Sequence, residues 1–248
     1  MDTRIINDAY FGSVPVTKLY QGSELVWPEY NYEGELIPVD LGPAGVWATC
    51  NLGASSPEDY GNYYAWGETT PKATYYWSNY KWCDYTEIDG GAQVTINITK
   101  YKKGFTMLTK GDDAAYSQPK WHTPRVEEWD ALYQRAYNGW TTINGVGGFS
   151  FRYGNNSIFI PAAGHYNGSH FYPDDYFLDY GGYLPCARYW TNSSAWVTTN
   201  NARTACVLSI HKPYRPSGAV SDDNGWQGTT GAVGMQKAYG LPIRAVLS

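Results

Sequence analysis

The last quarter of the chain, from Tyr189 to Val246, limits most strongly what this sequence can fold into. It opens on Tyr189-Trp190-Thr191-Asn192 and closes on Leu241-Pro242-Ile243-Arg244-Ala245-Val246. Between them, Ala205-Cys206-Val207-Leu208-Ser209-Ile210 alternates as a strand does, with Cys206, Leu208 and Ile210 on one face. From His211 to Gly240 neither a helical nor a strand period is visible. Gly, Pro, Ser, Thr, Asp and Asn dominate there, with isolated Tyr214, Trp226, Met235 and Tyr239. An irregular segment well beyond ~12–15 residues inside a compact domain is as a rule functional or disordered. Apolar strands at both ends argue against disorder. The stretch therefore reads as a loop system displayed on a rigid frame, an arrangement suited to binding.

Charge and aromatic content narrow the function classes. A net charge of −5 and a pI near 5.3 speak against a nucleic-acid partner, which needs a basic surface. No window approaches ~18 consecutive apolar residues, so no membrane-spanning helix is expected. Met1-Asp2-Thr3-Arg4-Ile5-Ile6-Asn7-Asp8 lacks the apolar core of a secretory signal; the chain is expected to be made in the cytoplasm or to have been parted from its signal. The 24 Tyr and 11 Trp far outnumber the 7 Phe. Rings with a polar tip suit half-exposed strands and binding surfaces. Cys50, Cys83, Cys186 and Cys206 are widely spaced with no Cys-x-x-Cys pair, which gives zinc no support and requires no disulfide. Cys206, inside a strand pattern, reads as a small buried hydrophobe.

Residues 1–30 read as a small N-terminal β unit. Val14 to Tyr20 and Glu24-Leu25-Val26-Trp27 flank Gln21-Gly22-Ser23, a hairpin signal. A lone hairpin is marginal in water. It is expected to dock on the main domain or to serve attachment or homo-oligomerisation. The main domain spans 36–248. Its first strands are Leu36 to Gly42, with Pro38 marking an edge, and Val46 to Gly53. Ser56-Pro57-Glu58-Asp59 has the cap, proline and acids of a helix start, and Tyr63 to Gly67 returns to strand chemistry. Residues 70–120 read as a long insertion or loop region. A helix over 124–137 follows, capped by Thr123, with Val126, Trp129, Leu132, Tyr133 and Ala136 on one face. His122 beside it could be a general base, but with no accompanying nucleophile or carboxylate motif it reads as structural. Phe149 to Tyr153 and Ser157 to Ile160 form a hairpin around Gly154-Asn155-Asn156.

Several strings, in this order, resemble one family: Val39-Asp40-Leu41-Gly42, Trp47 to Ala54, Ser56 to Gly61, Ala65 to Thr70, Trp121-His122-Thr123-Pro124 with Glu128-Trp129, Ile158 to Gly164, Tyr189-Trp190-Thr191 and Gly240 to Val246. The combination resembles the Fibrobacter succinogenes major paralogous domain of gut Bacteroidetes and their phages, over residues 36–248. The resemblance implies an α+β, C-type-lectin-like (formylglycine-generating-enzyme-like) fold with twisted antiparallel strands, two helices and long loops. It also implies kinship with the variable proteins of diversity-generating retroelements, whose C-terminal stretch is rewritten while the frame stays fixed. Residues 189–248 have the position of such a region. Lys18 to Pro28 resemble short β modules on gut-phage structural proteins. On this reading the protein is a non-enzymatic receptor- or ligand-binding protein of a virion (phage tail) or bacterial cell surface. Its partner is a protein or glycan on a target cell, with no membrane insertion, no metal and no cofactor.

Alternatives remain. A formylglycine-generating enzyme shares the fold but needs a reactive cysteine pair, and no cysteine here sits in a matching motif. Calcium-dependent sugar binding would use Glu-Pro-Asn or Gln-Pro-Asp tripeptides, which are lacking. Asp174-Asp175 and Asp222-Asp223-Asn224 read as solvated turns rather than cation ligands. Calcium-independent glycan binding without diversification, or a purely structural surface subunit, also fits. The expected binding surface is Asn192, Ser194, Trp196, His211, Tyr214, Arg215, Asp222, Asp223, Asn224, Trp226 and Gln227, predominantly exposed. Tyr214 and Trp226 are the expected energetic centres.

Overall fold

The computed structural model describes residues 10–11, 14–15, 19–21, 24–27, 36–91, 93–177, 182–195, 202–211 and 228–247. Near the N-terminus, β1 (Tyr10–Phe11) pairs with β2 (Val14–Pro15), and β3 (Leu19–Gln21) pairs with β4 (Glu24–Trp27). The pairing Gln21↔Glu24 brings together the two runs expected to form a hairpin. The main body begins with β5 (Pro38–Asp40) and β6 (Val46–Ala48), and continues with β7 (Cys83–Ile88) and β8 (Gln93–Ile98). After β9 (Trp121–His122) comes α1 (Val126–Arg135), and then the meander β10 (Tyr137–Ile143), β11 (Val146–Tyr153) and β12 (Asn156–Pro161). A small hairpin, β13 (His165–Asn167) with β14 (His170–Tyr172), precedes β15 (Asp174–Phe177), β16 (Gly182–Ser194), β17 (Thr204–His211), β18 (Gly228–Gln236) and the closing β19 (Val246–Leu247). The class is mixed α+β, mostly sheet, with one α-helix among the described residues.

Two four-stranded sheets make the frame. One runs β15-β16-β17-β18; the other runs β5-β6-β19-β9. The C-terminal strand is thus central, with Val246 opposite Trp47 on one side and His122 on the other. The segment before it is sewn to the early chain as well: Ala48 N donates to Ala245 O, Leu52 N to Ile243 O, and Tyr64 bridges Leu241. Pro38, which has no N–H to give, sits in the edge strand β5.

The central sheet is buried on both faces. Ala205 and Val207 of β17 pack with Trp190, Trp66 and Ile243. Leu208 and Ile210 pack with Trp47, Trp129, Leu132 and Tyr189. Odd- and even-numbered positions of β17 thus face different cores, as strand alternation requires. The helix serves the second core through Trp129 and Leu132, with the Trp129 ring 4.6 Å from that of Trp47.

Several expectations are corrected. Ser56–Asp59 is a turn and not a helix: Asp59 carboxylate oxygens accept from the N–H groups of Ser55 and Gly61, and Gly61 at φ +67° turns the chain away. The helix starts at Val126 and ends at Arg135. Thr123 does not cap it, because its N–H and hydroxyl both donate to the buried Asp113; Glu128 instead accepts from Arg125 N at 2.7 Å. Tyr137, placed in the helix, begins a strand instead. Residues 70–120 are not a featureless insertion, since β7 and β8 form a regular hairpin across Gly90-Gly91. Finally, the stretch after His211 contains β18. Gly228-Thr-Thr-Gly-Ala-Val-Gly-Met-Gln236 carries too few large side chains to show a period, so backbone pairing with β17 decides its state.

The Tyr and Trp excess has an internal use. Residues 49–82 contain little regular structure, so few of their carbonyls have a strand neighbour to accept from. Ring donors serve several of them. Trp190 Nε1 donates to Tyr64 O, Tyr80 Oη to Trp66 O, Trp82 Nε1 to Gly67 O and Tyr75 Oη to Tyr63 O. Trp66 Nε1 and Tyr63 Oη return the favour to Thr191 O and Ala163 O. Each ring fills core volume and satisfies a backbone acceptor at once.

Lys237 gives a pH-dependent consequence of this packing. It is fully buried, with Nζ donating to Tyr101 O at 2.9 Å and lying 4.7 Å from the Trp66 ring centroid. Burial pushes its pKa down from 10.5 to about 8. Between those values the unfolded chain binds a proton that the folded chain does not, so stability rises with pH across that window. The buried tyrosines oppose this only above their unfolded value of 10, because burial raises Tyr63, Tyr80 and Tyr189. Urea unfolding at pH 7 and pH 9.5 should therefore show a gain of roughly 2 kcal/mol in the wild type relative to Lys237→Met. Parallel pH responses of the two proteins would contradict a depressed Lys237.

Candidate ligand-binding surface

The sequence-derived site depends on where β16 and β17 end. They are antiparallel, with Ser194 opposite Ala205 and Cys186 opposite His211. Asn192 and Ser194 lie at one end of the pair and His211 at the other, six positions along β17 from Ala205, or roughly 20 Å at ~3.3 Å per residue. The described members of the expected site are therefore not brought together. Nor are they exposed, as was expected: Asn192, Ser194 and His211 are all buried. Trp196, Tyr214, Arg215, Asp222, Asp223, Asn224, Trp226 and Gln227 lie outside the described residues.

Asn192 and Ser194 are buried because their polar groups hold another segment. Ser194 Oγ accepts from Thr106 N and donates to Lys103 O, each at 2.9 Å. Ser194 N donates to Thr106 O, and Phe105 N donates to Ser194 O. Asn192 O accepts from Leu108 N, while Asn192 N donates to Pro124 O. Ser193 bridges Met107. The end of β16 is thus a clamp for residues 103–108, and what reaches solvent is the clamped segment, with Phe105 56% and Met107 55% exposed.

The clamped segment adjoins a polar network. Asp112 accepts from Tyr101 Oη at 2.6 Å, from Thr109 Oγ1 at 3.0 Å and from Lys100 Nζ; Lys81 Nζ lies 3.7 Å away. Burial raises its pKa, but these donors outweigh that and leave it lowered. Lys81 and Lys100 each place Nζ 4.4 Å from the Trp82 ring centroid. Sequence reasoning missed this surface. Its signal was the run Lys100-Tyr101-Lys102-Lys103-Gly104-Phe105, a local concentration of positive charge in an acidic chain.

Beneath it all lies a buried polar knot at the junction of the two sheets. Arg244 Nε donates to Asn51 Oδ1 at 2.9 Å, and Nη1 donates to Ala48 O at 3.0 Å and to Thr49 O. Nη2 donates to Phe159 O at 2.7 Å. Asn51 Nδ2 donates to Tyr189 Oη, which donates to Pro161 O. No carboxylate partner is among these contacts; desolvation lowers the Arg244 pKa, with Tyr189 opposing it, yet a guanidinium stays charged at any pH a protein survives.

The alternative chemistries find little here. The four cysteines are free thiols, and burial raises Cys50, Cys83 and Cys206, the opposite of what a thiolate nucleophile needs. Among the described residues no group of three or more His, Cys, Asp or Glu side chains is placed to hold a metal. His122 does have a carboxylate after all: its Nε2 lies 3.0 Å from both oxygens of Glu128. Since Glu128 also accepts from Arg125 N, the pair pins β9 to the start of α1. No family model, curated protein or solved structure matches the chain.

Proposed function

We propose that the protein is a non-enzymatic ligand-binding protein of C-type-lectin-like architecture, with segments displayed from an over-determined frame. The observation that carries this reading is the knot around Arg244. One side chain ties β6, the residues after it, β12 and the C-terminal segment into one body, and Tyr189 brings in β16. Residues 196–201 join β16 to β17, and 212–227 join β17 to β18. Both connect strands that pack through core residues such as Tyr189, Trp190, Val207 and Leu208. Such connections tolerate change within about ±0.5 kcal/mol, whereas a large-to-small change at Leu208 or Ile243 costs ~2–5 kcal/mol. That contrast suits a binding protein whose specificity is rewritten, as in the variable proteins of diversity-generating retroelements, on a virion or bacterial surface and directed at a protein or glycan on a target cell. The connections leave opposite ends of β17, so the surface is proposed as two patches.

Two measurements test this. The gene's neighbourhood should hold a reverse transcriptase and a near-copy of the DNA encoding residues 189–248; absence of both removes the diversification part. A library randomised at Trp196, Tyr214, Arg215, Asp222, Asp223, Asn224, Trp226 and Gln227 should consist mainly of folded members, judged by protease resistance on yeast. Should most members unfold, those residues belong to the frame and the display reading falls.

A further inference from the structure

Among the described residues, Phe105 combines two unfavourable states. Its backbone is left-handed at φ +52°, a region an aromatic L-residue rarely adopts, and its ring is more than half exposed. Met107, two residues on, is equally exposed. The clamp at Asn192, Ser193 and Ser194 keeps the segment in this state. A strained conformation held by surrounding structure, presenting an apolar side chain to water, points to use outside the molecule.

The charges around it say what kind of use. The Tyr101 hydroxyl accepts from Thr109 N at 3.0 Å, so residues 100–103 and 109–112 lie side by side. Lys100, Lys102, Lys103 and Lys110 thus fall in the two runs that flank Phe105 and Met107 in the chain, and Lys81 and Lys100 share Asp112. The acids of this stretch are Asp112 and Asp113, both buried, the second spent on Thr123 and Ala115. Lys102, Lys103 and Lys110 are exposed and form no ion pair among the described residues. The exposed charges at the start of α1, Arg125 and Glu127, offset each other. The segment thus carries positive charge from Lys102, Lys103 and Lys110, while Lys81 and Lys100 are matched by Asp112, on a chain of net charge −5.

We propose that residues 100–110 form a peripheral docking surface for an anionic lipid bilayer. Lysines meet the headgroups while Phe105 and Met107 reach the headgroup–acyl boundary, without any part of the chain crossing. Lysine clusters next to exposed apolar side chains have this chemistry: the charges draw the surface to anionic headgroups, and the apolar groups gain from leaving water. A nucleic acid would be served better by arginine, whose planar fork matches phosphate and stacks on bases, and the patch has none. The proposal does not depend on diversification of residues 189–248.

Vesicle co-sedimentation tests it, with phosphatidylcholine alone and with one quarter phosphatidylglycerol, alongside a heparin column as a charge-only probe. The wild type should bind the anionic vesicles and not the neutral ones, more weakly at high salt. Lys102→Glu with Lys103→Glu should weaken vesicle binding by at least about tenfold, since each lysine near such a surface contributes several-fold. Phe105→Asn with Met107→Gln should weaken vesicle binding comparably, yet leave heparin elution unchanged. Asparagine accepts a left-handed backbone, so that variant should melt no lower than the wild type. Lack of association with anionic vesicles overturns the proposal. So does vesicle binding that the Phe105/Met107 variant retains, or heparin binding without vesicle binding, either of which would make the patch a site for acidic polymers.

Discussion

Arg244→Met should unfold the protein or cost at least about 4 kcal/mol, read as the shift in the urea midpoint. Two effects compete. Removing a buried charge with no carboxylate partner recovers desolvation free energy, and apolar replacement of buried ionic groups is neutral or stabilising in some proteins. Here, however, the acceptors are backbone. Ala48 O, Thr49 O and Phe159 O stay in place when the guanidinium leaves, and so does Asn51 Oδ1. Each orphaned buried acceptor costs about 1–3 kcal/mol, and together they exceed the recovered desolvation. Arg244→Lys should do little better, because one ammonium cannot reach acceptors arranged for a planar fork. Because Arg244 joins the sheet holding β19 to β12, near-UV circular dichroism should be lost along with stability. A Met variant within about 1 kcal/mol of the wild type would mean that the knot is incidental, and the proposed frame would lose its basis.

Gly164→Ala should cost about 3 kcal/mol or more, while Gly154→Ala should cost only about 1. The two glycines share a left-handed backbone, at φ +56° and +58°. They differ in what a methyl group would meet. At Gly154, in the turn of the β11–β12 hairpin, nothing lies within 4 Å. At Gly164 the methyl carbon would sit 2.2 Å from Tyr172 O and 2.9 Å from Pro173 Cα, which are backbone atoms that cannot step aside alone. Relief requires moving the β13–β14 hairpin, which carries the stack of Tyr172 on His165, off the frame to which Gly164 N is bonded at Cys186 O. Thermal melts of both variants separate the backbone cost from the contact cost. Equal losses would show that the close approach is not there.

Much of the frame was legible in the sequence. β17 announced itself by alternation, the β11–β12 hairpin by its Gly-Asn turn, and the edge position of β5 by Pro38. These are local signals, set by side-chain period and by the conformational limits of Gly and Pro. Two of the misreadings share one cause, an aspartate that takes the donor groups on which the expected element or cap relied. Ser56–Asp59 has every mark of a helix start, yet the Asp59 carboxylate takes the N–H groups of Ser55 and Gly61. Thr123 looks like a cap, but Asp113, ten residues upstream, claims both its donors.

The candidate surface shows the same division. Composition identified a chain rich in amphipathic rings and polar connections, but not which way any of them faced. Asn192 and Ser194 resemble surface binding residues by type, and are buried because residues 103–108 lie across them. Phe105 and Met107 resemble core residues and are outside. By itself the sequence determined the strand periods, the turns and the excess of ring donors, because each depends on neighbours a few positions away. Only the tertiary structure decided that Arg244 would gather four acceptors, that tryptophan and tyrosine would serve carbonyls a hundred or more residues distant, and that the ends of β17 would separate the described members of the expected site. Those outcomes depend on which chain segment arrives beside which, and no local pattern encodes that.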